Sequence, residues 1–231
     1  MSKRDKRHRR DDESITGQCV YCGEVRVLEE DHVPSKNLFP KPRPSNLVTV
    51  PSCARCNRGF SKDDEYFRTA ASLILDGRKD PRLRQLFDKS LSAFKRPESG
   101  GLKSLFYSTF NMVEVRGDSG LYYGNALSFT VDLERIRRYA CRTIRGLYFA
   151  ETGVRLPTTT GVLTIVNEPL PQPETIVLLV SQPEKEVGRG IFYYKHVLAP
   201  DEPLASAWLL VFYEKLVIFG LTLPVPPPMM S

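Results

Sequence analysis

The sequence predicts an α+β fold in two unequal parts, a small cysteine-stapled module followed by a larger α+β domain with an antiparallel sheet. Three observations lead there. Cys19, Cys22, Cys53 and Cys56 form two Cys-x-x-Cys pairs inside residues 16–60, a stretch rich in Cys, Pro, Asn and Gly. Its only apolar runs are Val25–Leu28 and Leu47–Val50, a core too thin to fold unaided. Beyond residue 80, helical and strand-like patterns alternate irregularly, as in α+β folds. The 231 residues therefore divide into a basic flexible tail (1–14), the small module with its following helix (15–79), and the larger domain (80–231).

Each element has its own local cause. Ser61 is a candidate N-cap, with Asp63, Asp64 and Glu65 in the first turn and Gly77 past the end. Phe67, Ala70, Ala71 and Ile74 give that helix one apolar face. A second, basic helix spans Pro81–Phe94, and Gly100–Gly101 reads as a break. Ser104–Val115 and Leu121–Val131 read as strands joined by the turn 116–120. Asp132 caps a helix running to about Ala150. Strands are expected at Gly161–Val166, Thr175–Val180 and Gly190–Val197, then a hairpin over Ala207–Leu223. The proline run 224–228 cannot continue a sheet ladder.

The net charge of +6 is concentrated. Residues 1–10 hold six Lys or Arg against Asp5, which leaves about +1 for all the rest. Such an arm attracts phosphate without sequence preference, or simply stays solvated. No apolar run reaches the roughly 18 residues of a membrane span, and the N-terminus lacks the apolar core of a secretory signal. A cytoplasmic protein with no membrane partner is expected.

In a reducing compartment, paired Cys-x-x-Cys sequences are more often metal ligands than disulfides. Zinc needs four ligands in a tetrahedron, and each tight turn supplies two, so Cys19, Cys22, Cys53 and Cys56 predict a structural Zn²⁺ site. Cys141 stands alone and is expected to be idle. Thirty residues separate Cys22 from Cys53, more than a simple zinc ribbon requires, so something is built between the knuckles.

That insert carries Glu30-Asp31-His32-Val33-Pro34 and Asn46-Leu47, and the second knuckle ends Cys56-Asn57-Arg58. A histidine near neutrality is a suitable general base, and a carboxylate with an amide oxygen suits a hard divalent ion. Neighbouring strand residues point to opposite sides, so Asp31 and His32 share a site only if the strand ends there, as Pro34 suggests. Glu30 is either a further ligand or a solvated strand residue.

Residues 19–62, about a fifth of the chain, resemble the HNH endonuclease family through the ordered pattern Cys-x-x-Cys, Asp-His-x-Pro, Asn-Leu, Cys-x-x-Cys-Asn. Here Pro34 falls one place early and Asn57 stands where the family's last His does. The resemblance implies a ββα-metal module hydrolysing phosphodiester bonds to 5′ phosphate and 3′ hydroxyl ends. It implies that His32 is the base, Asp31 and Asn57 are catalytic metal ligands, and Asn46 braces the loop that orients His32. An amide oxygen at position 57 favours Mg²⁺ or Mn²⁺.

On the helix after Asp132, Arg135, Arg138, Arg142 and Arg145 fall within about an 80° arc, opposite Leu133, Ile136, Ala140, Ile144 and Leu147. Such an outward stripe is either a phosphate rail or an ordinary solvated face. His196 has no recognisable partner pattern and reads as structural. Nucleic acid, DNA before RNA, is the expected partner, and the C-terminal domain offers a surface for a protein partner or a second copy. The alternatives are a non-catalytic zinc module that binds nucleic acid or protein, and an RNA-cleaving enzyme on the same scaffold.

Overall fold

The computed structural model describes residues 15–96, 100–166 and 173–224. The basic tail 1–14 and the prolines after Pro224 lie outside the described residues. The fold is α+β with antiparallel sheets, as expected.

Three short strands, β1 (Thr16–Gln18), β2 (Val25–His32) and β3 (Thr49–Cys53), form a sheet in that order, and β3 runs directly into helix α1 (Ala54–Gly59). The β2–β3 ladder pairs Leu28 with Cys53 at one end and His32 with Thr49 at the other. Helix α2 (Ser61–Ile74) follows with only Phe60 between, itself in the helical region at φ −83°, ψ −13°. Ser61 is therefore not an N-cap, because the chain never leaves helical geometry there. Its hydroxyl instead donates to the Arg58 carbonyl. The far end closes as expected near Gly77, but Asp76 takes the left-handed conformation (φ 48°), and Gly77 N–H reaches back to the Ser72 carbonyl.

Helix α3 (Pro81–Phe94) starts where expected, with Asp80 accepting from Arg82 N–H and Pro81 in the first turn. Residues 100–107 form a helix, α4 (Gly100–Tyr107), instead of the start of a strand. Leu102, Leu105 and Phe106 sit at helical spacing on the core, and Phe106 stacks on Tyr66 at 5.0 Å. The hairpin β4 (Asn111–Arg116) and β5 (Tyr122–Ser128) is correspondingly shorter than expected.

Helix α5 (Leu133–Thr152) is capped by Asp132 and ends at Gly153, whose φ of 69° suits a left-handed stop. Strands β6 (Gly161–Val166), β7 (Lys185–Val187), β8 (Phe192–Leu198), β9 (Ser206–Phe212) and β10 (Leu216–Leu223) build a five-stranded antiparallel sheet ordered β6-β10-β9-β8-β7. The segment 173–180, expected as a strand, is helix α6 (Pro173–Val180). A short apolar run carries no periodicity to separate helix from strand. In α6 the sheet-facing set is Thr175, Ile176 and Leu179, while Val177, Leu178 and Val180 stay exposed.

Side chains alternate across the large sheet. Trp208, Leu210, Phe212 and Ile218 face the main core, and Ala207 and Phe219 meet Leu179 of α6 on the other side. Helix α5 lies on the main-core face, and its second side meets α2, where Phe67 stacks on Tyr139 at 3.9 Å and also touches Phe212. One apolar cluster therefore runs from Cys19 through Tyr66 and Ile144 to Ile218, across the boundary near residue 80. His196 is structural here, stacked on Trp208 at 4.8 Å. Among the described residues, no helix is long and apolar enough to cross a membrane.

Candidate functional site

The four paired cysteines come together. One ligand atom from each of Cys19, Cys22, Cys53 and Cys56 lies within 4.8 Å of every other, and Cys22 Sγ is 3.9 Å from Cys53 Sγ. Four thiolates about 2.3 Å from one zinc ion would sit about 3.8 Å apart, so the cluster fits a tetrahedral metal ion. The first knuckle turns at Gly23 (φ 75°), whose N–H donates to the Cys19 carbonyl. The second straddles the β3–α1 junction, and Cys53 N–H donates to Cys19 Sγ at 3.3 Å. Burial opposes a Cys19 thiolate, but backbone N–H groups of Cys22, Cys53 and Tyr21 bring its thiol down to about 7. Burial pushes the Cys56 thiol far up, so metal binding there has to displace its proton.

At the other end of the same ladder, β2 stops at His32. Asp31, His32 and Asn57 line one cleft of about 210 Å³, together with Glu30, Ser35, Lys36, Asn37, Ser61 and Asp64. Asp31 is buried and His32 half-buried, so the strand's end lets both reach the cleft. Burial, with Lys36 nearby, lowers the His32 pKa and favours the neutral imidazole that a base requires. Asn57 Nδ2 donates to Glu29 at 3.2 Å, which leaves its amide oxygen free to accept.

Asp31 is more occupied than its motif suggests. Arg142 Nη2 contacts both its oxygens, at 2.5 and 2.6 Å, and Tyr21 donates its hydroxyl to Oδ2 at 2.8 Å. Burial and Asp31 raise the Tyr21 pKa well above the ordinary phenol value, so the phenol keeps its proton and stays a donor. Arg142 Nη1 also pairs with Asp64. Burial raises the Asp64 pKa against the opposing pull of Arg142. Two carboxylates against one guanidinium leave one surplus negative charge beside the cleft when both acids are ionised. Three donated hydrogen bonds leave Asp31 room for one more partner. The oxygen donors at the cleft are thus a carboxylate with one place left and an amide oxygen, the kind of donors that hard divalent ions take.

Asn46 holds a loop, and the expectation for the arginine stripe needs correction. Asn46 does not reach the cleft: its amide donates to the Glu186 carbonyl at 2.9 Å and its oxygen accepts from Gly188 N–H at 3.3 Å. It ties the loop 33–48, which leaves His32, to the β7–β8 turn.

The arginine stripe faces outward only at Arg138, which is 47% exposed. Arg142 is 4% exposed, and Arg135 and Arg138 both grip Asp63. Arg145 donates to the carbonyls of Pro157 and Thr160. Asp63 and Asp64 of α2 meet three of the four arginines.

Sequence reasoning missed Asp64, Arg142, Tyr21 and Ser35. For Asp64 a signal existed, because it sits three residues before Phe67 and seven before Ala71, on the buried face of α2. An acid on an apolar stripe calls for a partner. Of the expected apolar face itself, Ile74 is 41% exposed, since the helix ends there. For Arg142, whose acids lie 111 and 78 residues away, no local signal existed. Comparison with protein-family models, curated proteins and solved structures gave no match.

Proposed function

We propose that this chain is an HNH-type endonuclease hydrolysing phosphodiester bonds in nucleic acid, DNA before RNA, on a ββα-metal module. The observation that carries the reading is the arrival of Asp31, His32 and Asn57 in one cleft, on the ladder whose opposite end holds the four cysteines. A binding module needs the cysteines but not that cleft.

In this reading Cys19, Cys22, Cys53 and Cys56 hold a structural Zn²⁺. Asp31 and Asn57 hold the catalytic ion, and Mg²⁺ or Mn²⁺ there supplies positive charge for the departing 3′ oxygen. Neutral His32 takes a proton from the attacking water. Glu30, on the cleft's rim, contributes negative charge that favours a cation. Asn46 acts at one remove, by fixing the loop that leaves His32. Of the arginines, Arg138 is the most exposed and remains a candidate phosphate contact, whereas Arg142 is not one.

One observation favours the rival reading of a non-catalytic module, namely that Asp31 already accepts three hydrogen bonds. Incubating the protein with supercoiled plasmid and with a matched RNA, under Mg²⁺, Mn²⁺ or EDTA, separates the two. Cleavage with either ion and none with EDTA is expected. His32→Ala should lose about 10²- to 10⁴-fold in rate while keeping its zinc, and should gain nothing from added metal. A parent that cuts neither substrate under any metal would overturn the reading.

A further inference from the structure

The two residues that flank His32 in sequence are both held by the same helix, 111 residues away. Before it, Asp31 takes both carboxylate contacts from Arg142 on α5. After it, Val33 packs against Gly146, four residues along α5 and so on the same side of that helix. A Cβ at 146 would lie 2.6 Å from Val33 Cγ2 and 3.3 Å from the Tyr21 hydroxyl, so only glycine allows the helix this close.

Arg142 is itself fixed on every side. Its guanidinium carbon lies 4.7 Å from the Phe60 ring centre and 5.8 Å from that of Tyr21, and its nitrogens span Asp31 and Asp64. All three side chains are nearly out of water, with exposures of 4%, 5% and 11% for Arg142, Asp31 and Asp64. A planar fork packed against two adjacent rings and bonded to two carboxylates has one orientation. It therefore sets which edge of Asp31 faces the cleft.

We propose that α5 is the positioning element of the cleft and Arg142 its positioning residue. Arg142 turns the free lone pair of Asp31 toward the cation site and, with Gly146, clamps the backbone on both sides of His32. The site is then incomplete within residues 15–79. The inference rests on the nuclease reading and deepens it.

Arg142→Lys tests it, since a lysine keeps the charge but cannot span two carboxylates. Four readouts are taken: kcat on plasmid, Mn²⁺ affinity from the paramagnetic resonance of the free ion, zinc content, and the thermal midpoint. The expected result is kcat lower by about ten- to a hundred-fold, the cost of a misplaced reacting group. Mn²⁺ affinity should fall about tenfold, because the Asp31 lone pair is no longer turned toward the cation site, while zinc content should stay at the parent's value. A role in folding alone would lower the midpoint and leave the kcat of the folded fraction intact.

Should the lysine variant fail to fold, Arg142→Met/Asp64→Asn removes one charge of each sign and keeps the site's balance. It should cut about tenfold slower than Asp64→Asn alone. Equal rates in that pair, or a parental rate in a folded Arg142→Lys, would overturn the inference and leave the nuclease reading standing. A parent that does not cut at all overturns both.

Discussion

The β2–β3 ladder carries a cluster at each end, and the two are assembled differently. At the Leu28–Cys53 end, the four thiols come from residues 19–56, and each knuckle is made by one tight turn. Roughly 14 Å along the ladder, at about 3.4 Å per residue, the His32–Thr49 end draws on Tyr21, Asp31, Asn57 and Asp64, and also on α5. The first cluster is closed by local geometry and suits an ion that stabilises structure. The second is closed by tertiary packing and keeps an open side. A catalytic centre needs both a rigid back and a free front, and short-range turns alone provide neither here.

The largest test of this contrast is at the cysteines. Cys53→Ser should strip the metal and unfold residues 15–60, because metal-binding energy, on the order of 10–16 kcal/mol in small zinc modules, is folding energy there. Metal analysis together with hydrogen exchange across β1–β3 checks it. A metal-free variant with unchanged protection would show that the cluster is an ornament of a fold held otherwise.

Next is Gly146→Ala, which leaves the cysteines untouched and presses on Val33. Overpacking at such a contact costs about 1–3 kcal/mol. Thermal unfolding should show that loss, and cleavage should fall further than stability does, with zinc content unchanged. Parental cleavage in a folded variant would cut the link between α5 and the second cluster. The smallest effect belongs to Asn46→Ala. Losing its two hydrogen bonds to the β7–β8 turn should cost about 1–2 kcal/mol and slow cleavage only mildly.

This contrast also explains what could be read from the sequence. The cysteine spacing, the Asp31-His32 pair at a strand end, helix α3 from its Asp80–Pro81 start, and the Asp132 cap were all legible, because each is decided within a few residues. The helices over 100–107 and 173–180 were not, since segments of only eight residues take the form their neighbours impose. The arginines of α5 misled for a related reason. A single charged face looks hydrated until the opposite acids, Asp31, Asp63 and Asp64, are known to meet it. Helical periodicity locates a polar face but does not reveal whether water or another helix covers it.

The loop 33–48 has a consequence in time as well as in space. Its anchors are the Asn46 bonds to Glu186 and Gly188 and the Leu38 carbonyl, which accepts from the Tyr213 hydroxyl across 175 residues. During synthesis, at about 5–20 residues per second, the knuckles can close soon after Cys56 leaves the ribosome, but this loop cannot settle until Tyr213, just past β9, follows. Between those moments the chain carries a closed cysteine cluster beside an unfinished loop. The order of translation therefore delays the loop beside the cleft until nearly the whole polypeptide has been made.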